Sequence, residues 1–184
     1  MINRLKGLNI YLIGMMGTGK TTVGRLLAKH LQYGFLDTDD VITKVAGKTI
    51  NEVFAQDGEA AFRDLESDVL AQVCTHTKLV IATGGGIILR RQNWSYLHYG
   101  LVVWLDANVD VLYNRLADDK TRPLLQDANP KEKIRALQVQ RQALYSEADL
   151  HIIITEDETP EQVAKKIINA IPSVLKSDKS LNSN

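Results

Sequence analysis

Residues 14 to 21 read GMMGTGKT, which sets Gly14, Gly19, Lys20 and Thr21 at the spacing G-x-x-x-x-G-K-T. An apolar run, LNIYLI, precedes them, and a stretch with helical patterning follows. Glycines allow positive φ and close backbone approach, so successive N–H groups can turn into one concavity. The helix that follows adds the partial positive charge of its N-terminus. Lys20 suits the β- and γ-phosphates of a nucleotide, and the Thr21 hydroxyl suits Mg²⁺. The expected occupant is a nucleoside triphosphate. Such a loop identifies a phosphoryl donor and leaves the acceptor open. The NKxD base-recognition motif of GTPases is absent. Asp106, after LVVWL, has two readings: a Walker B carboxylate, or, with Asn108, a cap for the next helix.

Three further stretches carry acceptor chemistry. LDTDD (36–40) ends a short apolar segment with Asp37 and Asp39, and alternate residues of an extended chain share a side. Both carboxylates could face the C-terminal sheet edge where ligands bind in open α/β folds, one towards a metal and one as proton acceptor. Helix capping is the other reading. ATGGGII (82–88) puts three glycines directly after an apolar segment, more than a turn needs, which suggests close backbone approach to a ligand. Arg63 lies off the apolar stripe of its helix, so a solvated ion pair with Glu66 competes with a binding role. Arg141 falls on the apolar face formed by Ile134, Leu137, Leu144 and Tyr145. A guanidinium there must snorkel outward or meet an anion, preferably a carboxylate that matches its fork.

These residues need a scaffold, and the patterning supplies one. NIYLIG (9–14), LVIAT (79–83), LVVWLD (101–106) and LHIIIT (150–155) are nearly continuous apolar runs, with a weaker GFLD at 34–37. Such runs predict parallel strands buried on both faces. Helical stripes lie between them: Val23, Leu26, Leu27 and Leu31; then Phe62, Leu65, Val69, Leu70 and Val73. Val163, Ile167, Ile168 and Ile171 form the last. Strand–helix alternation predicts right-handed crossovers and a three-layer αβα sandwich. The expected organisation is one domain over residues 1–176 with a polar, disordered tail at 177–184. Residues 119–130, DKTRPLLQDANP, are expected to form a mobile surface lid.

Composition bounds the partners. The 184 residues carry 22 basic and 22 acidic side chains, so no overall positive field draws nucleic acid or an anionic membrane. The single cysteine, Cys74, excludes an internal disulfide and fits a reducing compartment. The N-terminal apolar run is broken by Gly14 and Lys20 and has no cleavage pattern of a secretory signal. No segment approaches the ~20 apolar residues of a membrane span. A cytoplasmic protein is expected.

Taken together, GMMGTGKT, DTD, FRDLE (62–66), TGGG, RPLL (122–125) and RQALY (141–145) resemble shikimate kinase, with the motifs in family order from about residue 8 to 172. The resemblance implies a five-stranded parallel sheet ordered 2-3-1-4-5, similar to nucleoside monophosphate kinases, and transfer of the ATP γ-phosphoryl to the 3-hydroxyl of shikimate. It implies nucleotide contacts from Gly17, Thr18, Gly19, Lys20, Thr21, Thr22, Arg115, Arg122 and Pro160. Arg115 and the loop around Pro160 would sandwich adenine, and Arg122 would close from the lid onto the phosphates. Shikimate would meet Asp39, Arg63, Gly84, Gly85, Gly86 and Arg141. Asp39 would be the base, and the two arginines would hold the carboxylate. One Mg²⁺ would sit at Thr21, with Asp37 acting through water. The catalytic set is then Lys20, Asp39 and Arg122, in a monomer. A kinase for another polyol acid such as gluconate, or a silent regulatory relative, are the competing readings.

Overall fold

The computed structural model describes residues 5–116 and 129–175. Arg122, residues 119–128 of the expected lid and the expected tail lie outside them. Five parallel strands form the sheet: β1 (Ile10–Ile13), β2 (Gly34–Asp37), β3 (Leu79–Ala82), β4 (Leu101–Ala107) and β5 (Leu150–Ile154). Their order is β2-β3-β1-β4-β5. The first strand in sequence is thus central, and the chain crosses from one side of it to the other between β3 and β4. Leu12 pairs with Ala82, and Asp37 pairs with the same residue from the other side.

All four residues of β1 are fully buried, as a strand covered on both faces must be. Leu12 meets α1 (Lys20–Leu31), where a Cβ on Gly24 would come within 3.2 Å of its side chain. Ile13 pairs with Trp104, whose ring stacks on Tyr145 of the helix Pro130–Tyr145. Helices therefore flank both faces, which is the three-layer sandwich that the alternation predicts.

The remaining helices are α2 (Thr38–Ala46), α3 (Ile50–Gln56), α4 (Gly58–Val73), α5 (Arg91–Leu97), α6 (Val109–Leu116), α7 (Pro130–Tyr145) and α8 (Pro160–Val174). The capping chemistry of two of them is complete: Thr49 with Glu52 opens α3, and Thr159 with Gln162 opens α8. The apolar stripe of α8 buries Val163, Ile167 and Ile171 against β5 and α1.

One expectation fails at an edge. β5 alternates instead of being buried throughout: Leu150, Ile152 and Ile154 face the core, while Ile153 is 59% exposed. An edge strand has a neighbour on one side only, and here α8 covers one face while the other stays open.

Candidate active site

The chain leaves β1 into Gly14, whose φ of 140° and close approach to the Leu105 carbonyl exclude any side chain. The Thr18 hydroxyl donates to the Met15 carbonyl at 2.9 Å inside the loop. Lys20 Nζ donates to the carbonyls of Gly14 and Met15 at 2.9 and 2.8 Å. Gly19 occupies the N-cap of α1 and makes no side-chain cap, so the helix end offers its amides to a ligand. The loop is thus shaped for phosphate before any arrives.

Beside it lies a cavity of about 280 Å³. The P-loop contributes Gly17, Thr18, Gly19 and Thr22, and the facing wall carries Arg115 and Pro160. Arg115 donates to the Gly17 carbonyl at 3.4 Å, linking that wall to the loop. The nucleotide set read from the sequence, Arg122 apart, is therefore brought to one place.

Asp37 ends β2 and is the N-cap of α2, where its Oδ1 accepts the Asp39 N–H at 3.0 Å. Its Oδ2 accepts the Thr21 hydroxyl at 2.7 Å. This corrects the geometric expectation for LDTDD. The strand stops at Asp37, and Asp39 stands in the first turn of a helix, so alternation along a strand does not relate the two carboxylates. Capping and proximity to the P-loop are also compatible in one side chain, because Asp37 uses a different oxygen for each.

Two of the three glycines after β3 have a clear steric reason. None of the three has positive φ, but Gly84 and Gly86 are crowded, whereas a side-chain atom on Gly85 would make only ordinary contacts. A Cβ on Gly84 would lie 2.7 Å from Glu66 Oε1 and 3.0 Å from Asp39 Oδ1. One on Gly86 would collide with the Arg63 guanidinium, 2.5 Å from its Cζ. Gly85 faces the other way, with 3.5 Å from such an atom to the Gly14 carbonyl and 3.8 Å to Arg141 Nη1. The glycine loop therefore lies between the phosphate cradle and a cluster of charged side chains, Asp39, Arg63, Glu66 and Arg141.

Two readings of that cluster change. Arg63 does pair with Glu66, yet the pair is far from solvated: the Glu66 side chain is 1% exposed and that of Arg63 14%. Glu59 makes a second contact to Arg63 at 3.1 Å. Glu66 belongs to the site, and treating it only as a surface counter-ion missed this. Its burial was signalled by its position one residue after Leu65 on a stripe that the neighbouring glycines press against. Asp106 is engaged on both oxygens, with His151 Nε2 at 2.9 Å and Gln138 at 3.3 Å, while Asn108 caps α6 through the Val111 N–H at 2.9 Å.

Burial pushes the Glu66 carboxyl above its ordinary value, against the pull of Arg63, and the nearby Asp39 charge pushes it the same way. An acid raised in this manner contributes stability below its unfolded pKa and loses it as pH rises through the folded value. Glu66→Gln removes that titration. Its stability relative to the parent should therefore rise with pH above about 4.5, with each tenfold change in proton affinity amounting to about 1.4 kcal/mol. Urea unfolding of both proteins at pH 4.5 and 8 measures it. A difference that stays constant or falls with pH would remove the burial account.

Arg141 projects from α7 as the sequence periodicity placed it. Its Nη1 donates to the Gly85 carbonyl at 3.2 Å, and its buried Nε has no hydrogen-bond partner among the described residues. A buried charged donor without an acceptor is costly, and a ligand anion would relieve it.

The chain is similar to known proteins over nearly its whole length. The family model for shikimate kinase matches residues 16–172. A shikimate kinase of Trichormus variabilis is 67% identical over 176 residues, covering 96% of this chain and 97% of that protein. One of Nostoc sp. is 66% identical over the same share of each. The solved structure of the Acinetobacter baumannii shikimate kinase in complex with shikimate is 42% identical, with a TM-score of 0.87, and covers 93% of this chain and 96% of that one. Identity of this order across nearly the full length of both partners, with the family model matching residues 16–172, means that the chain belongs to the shikimate kinase family.

Proposed function

We propose that the chain transfers the γ-phosphoryl group of ATP to the 3-hydroxyl of shikimate, with the nucleotide in the P-loop cavity and the acceptor against the glycine loop. The observation that carries this reading is the place of Gly85, close to the Gly14 backbone and bonded through its carbonyl to Arg141. It sets an anion-seeking guanidinium close to a phosphate cradle. Phosphoryl transfer asks the protein for in-line placement and charge neutralisation rather than covalent chemistry.

In this reading Arg115 and Pro160 flank the adenine, and Lys20 moves its donors from loop carbonyls to phosphate oxygens. Arg63 and Arg141 hold the carboxylate, the backbone of Gly84, Gly85 and Gly86 closes on the ring, and Asp39 accepts the proton of the attacking hydroxyl. Glu66 keeps Arg63 in place. Arg122, outside the described residues, closes onto the phosphates by family resemblance. Thr21 Oγ1 and Asp37 Oδ2, 2.7 Å apart, fit one Mg²⁺, an ion that takes few protein oxygens and completes its shell from phosphates and water. When bound, it would neutralise charge on the β- and γ-phosphates. The reading includes a cytoplasmic monomer working on small molecules, and the single cysteine fits a reducing compartment.

The test is an ADP-release assay over a panel of hydroxy acids, including gluconate and a shikimate analogue without its carboxylate. Shikimate is expected to be the favoured acceptor. Arg141→Lys keeps the charge and loses the planar two-point match. Loss of one charged hydrogen bond should lower kcat/KM for shikimate by roughly 10- to 150-fold. The carboxylate-free analogue should be poor for the parent and nearly indifferent to the substitution. Equal losses on both acceptors would move Arg141 out of carboxylate binding.

A further inference from the structure

The Gly85 carbonyl is held by two donors from one helix. The Tyr145 hydroxyl donates at 2.8 Å and Arg141 Nη1 at 3.2 Å, four residues apart on the same face of α7. The two donors differ in freedom. Tyr145 is 1% exposed, and its ring lies on Trp104 at 5.7 Å and 17°. Trp104 is backed in turn by His151 at 3.9 Å and 6°. Packing therefore pins the phenol. Burial pushes its pKa up to about 12, so the hydroxyl remains a donor throughout the neutral range. Arg141 is only half-buried, on a longer side chain, and has donor capacity left at Nε.

We propose that Tyr145 is a positioning residue for the acceptor: by keeping the Gly85 carbonyl satisfied, it lets Arg141 give up its loop contact for the acceptor carboxylate. The proposal rests on the carboxylate assignment of Arg141. Gly85 is partly buried, and a carbonyl there that loses its last protein donor bears part of the desolvation penalty of an unpaired acceptor. With Tyr145 in place, Arg141 can turn to a ligand and leave behind a carbonyl that still accepts a hydrogen bond. Without the hydroxyl, the carbonyl depends on Arg141 Nη1 alone, so the guanidinium cannot turn its fork fully to a ligand without stripping it.

Tyr145→Phe tests this, since it keeps the ring and its stacking and removes one hydroxyl. KM for shikimate should rise about fivefold, the scale of one neutral hydrogen bond. KM for ATP, kcat and the thermal midpoint should change little. The decisive measurement is the same substitution in an Arg141→Ala background. There no donor has to be exchanged on binding, so the carbonyl is in the same state with and without acceptor, and Tyr145→Phe should leave KM for shikimate unchanged. A fivefold loss that persists in that background would mean a purely structural tyrosine and would overturn the proposal. An unchanged KM in the single variant, or a rise in KM for ATP, would do the same. An Arg141→Ala protein with normal shikimate KM would instead remove the carboxylate assignment, and this proposal with it.

Discussion

Replacing Asp39 by asparagine is expected to lower kcat by about 10²- to 10⁴-fold, the range of general-base contributions, while ATP binding stays near normal. The amide still hydrogen-bonds a hydroxyl but cannot take its proton. The location supports a local effect. Asp39 stands in the first turn of α2, whose N-cap is Asp37, so the backbone bond that fixes the turn runs from the Asp39 N–H and survives the substitution. Its Oδ1 faces Gly84 beside Glu66. Removing one of two neighbouring negative charges also eases repulsion there, so the folded protein should not lose stability. Single-turnover kinetics with saturating shikimate separates chemistry from binding. A raised shikimate KM with unchanged kcat would leave Asp39 as a positioning group only.

Lys20→Met is the second large effect, at roughly 10²-fold or more in kcat, the scale of losing one preorganised donor to a developing charge. The structure adds a consequence that the motif does not state. Lys20 Nζ donates to the carbonyls of both Gly14 and Met15, so methionine leaves these loop oxygens without that cation. KM for ATP should therefore rise together with the fall in kcat. KM for shikimate should move less, because the glycine loop touches the P-loop through backbone rather than through Lys20. Steady-state kinetics with each substrate varied in turn reads all three quantities. Normal turnover would show that this loop does not serve the reaction.

What could be read from residue order depended on whether the signal was local. The phosphate loop was legible because strand, glycine spacing, lysine and helix are contiguous, and each glycine answers to its own backbone geometry. The central strands were legible through uninterrupted apolar character, and the sheet order came with the family resemblance. Arg141 was legible by periodicity, since a charge on an apolar face is conspicuous. Glu66 was only partly legible: Phe62, Val69 and Leu70 set it on the buried face of its helix, but the approach of Gly84 and Asp39 from other elements is not a local signal. Asp37 and Asp39 were the right residues with the wrong geometry, because the point where β2 yields to α2 depends on a capping bond between them. The open face of β5 was hidden for another reason: its run is apolar throughout, and only its place at the sheet edge leaves Ile153 exposed.

The register of β1 against β3 bears on how this protein could change its acceptor. Leu12 pairs with Ala82, so the phosphate cradle and the glycine loop emerge from adjacent strands at matching levels. Their separation is therefore one strand spacing, about 4.8 Å, a dimension of the backbone that no single side-chain replacement resets. In the proposed reading, acceptor identity is by contrast written on the walls by Asp39, Arg63, Glu66 and Arg141, which come from α2, α4 and α7. Reach and taste are encoded in separate parts of the chain. Those walls can be recut by mutation for a hydroxy acid of different shape while the spacing of the two strands that carry the loops is inherited unchanged.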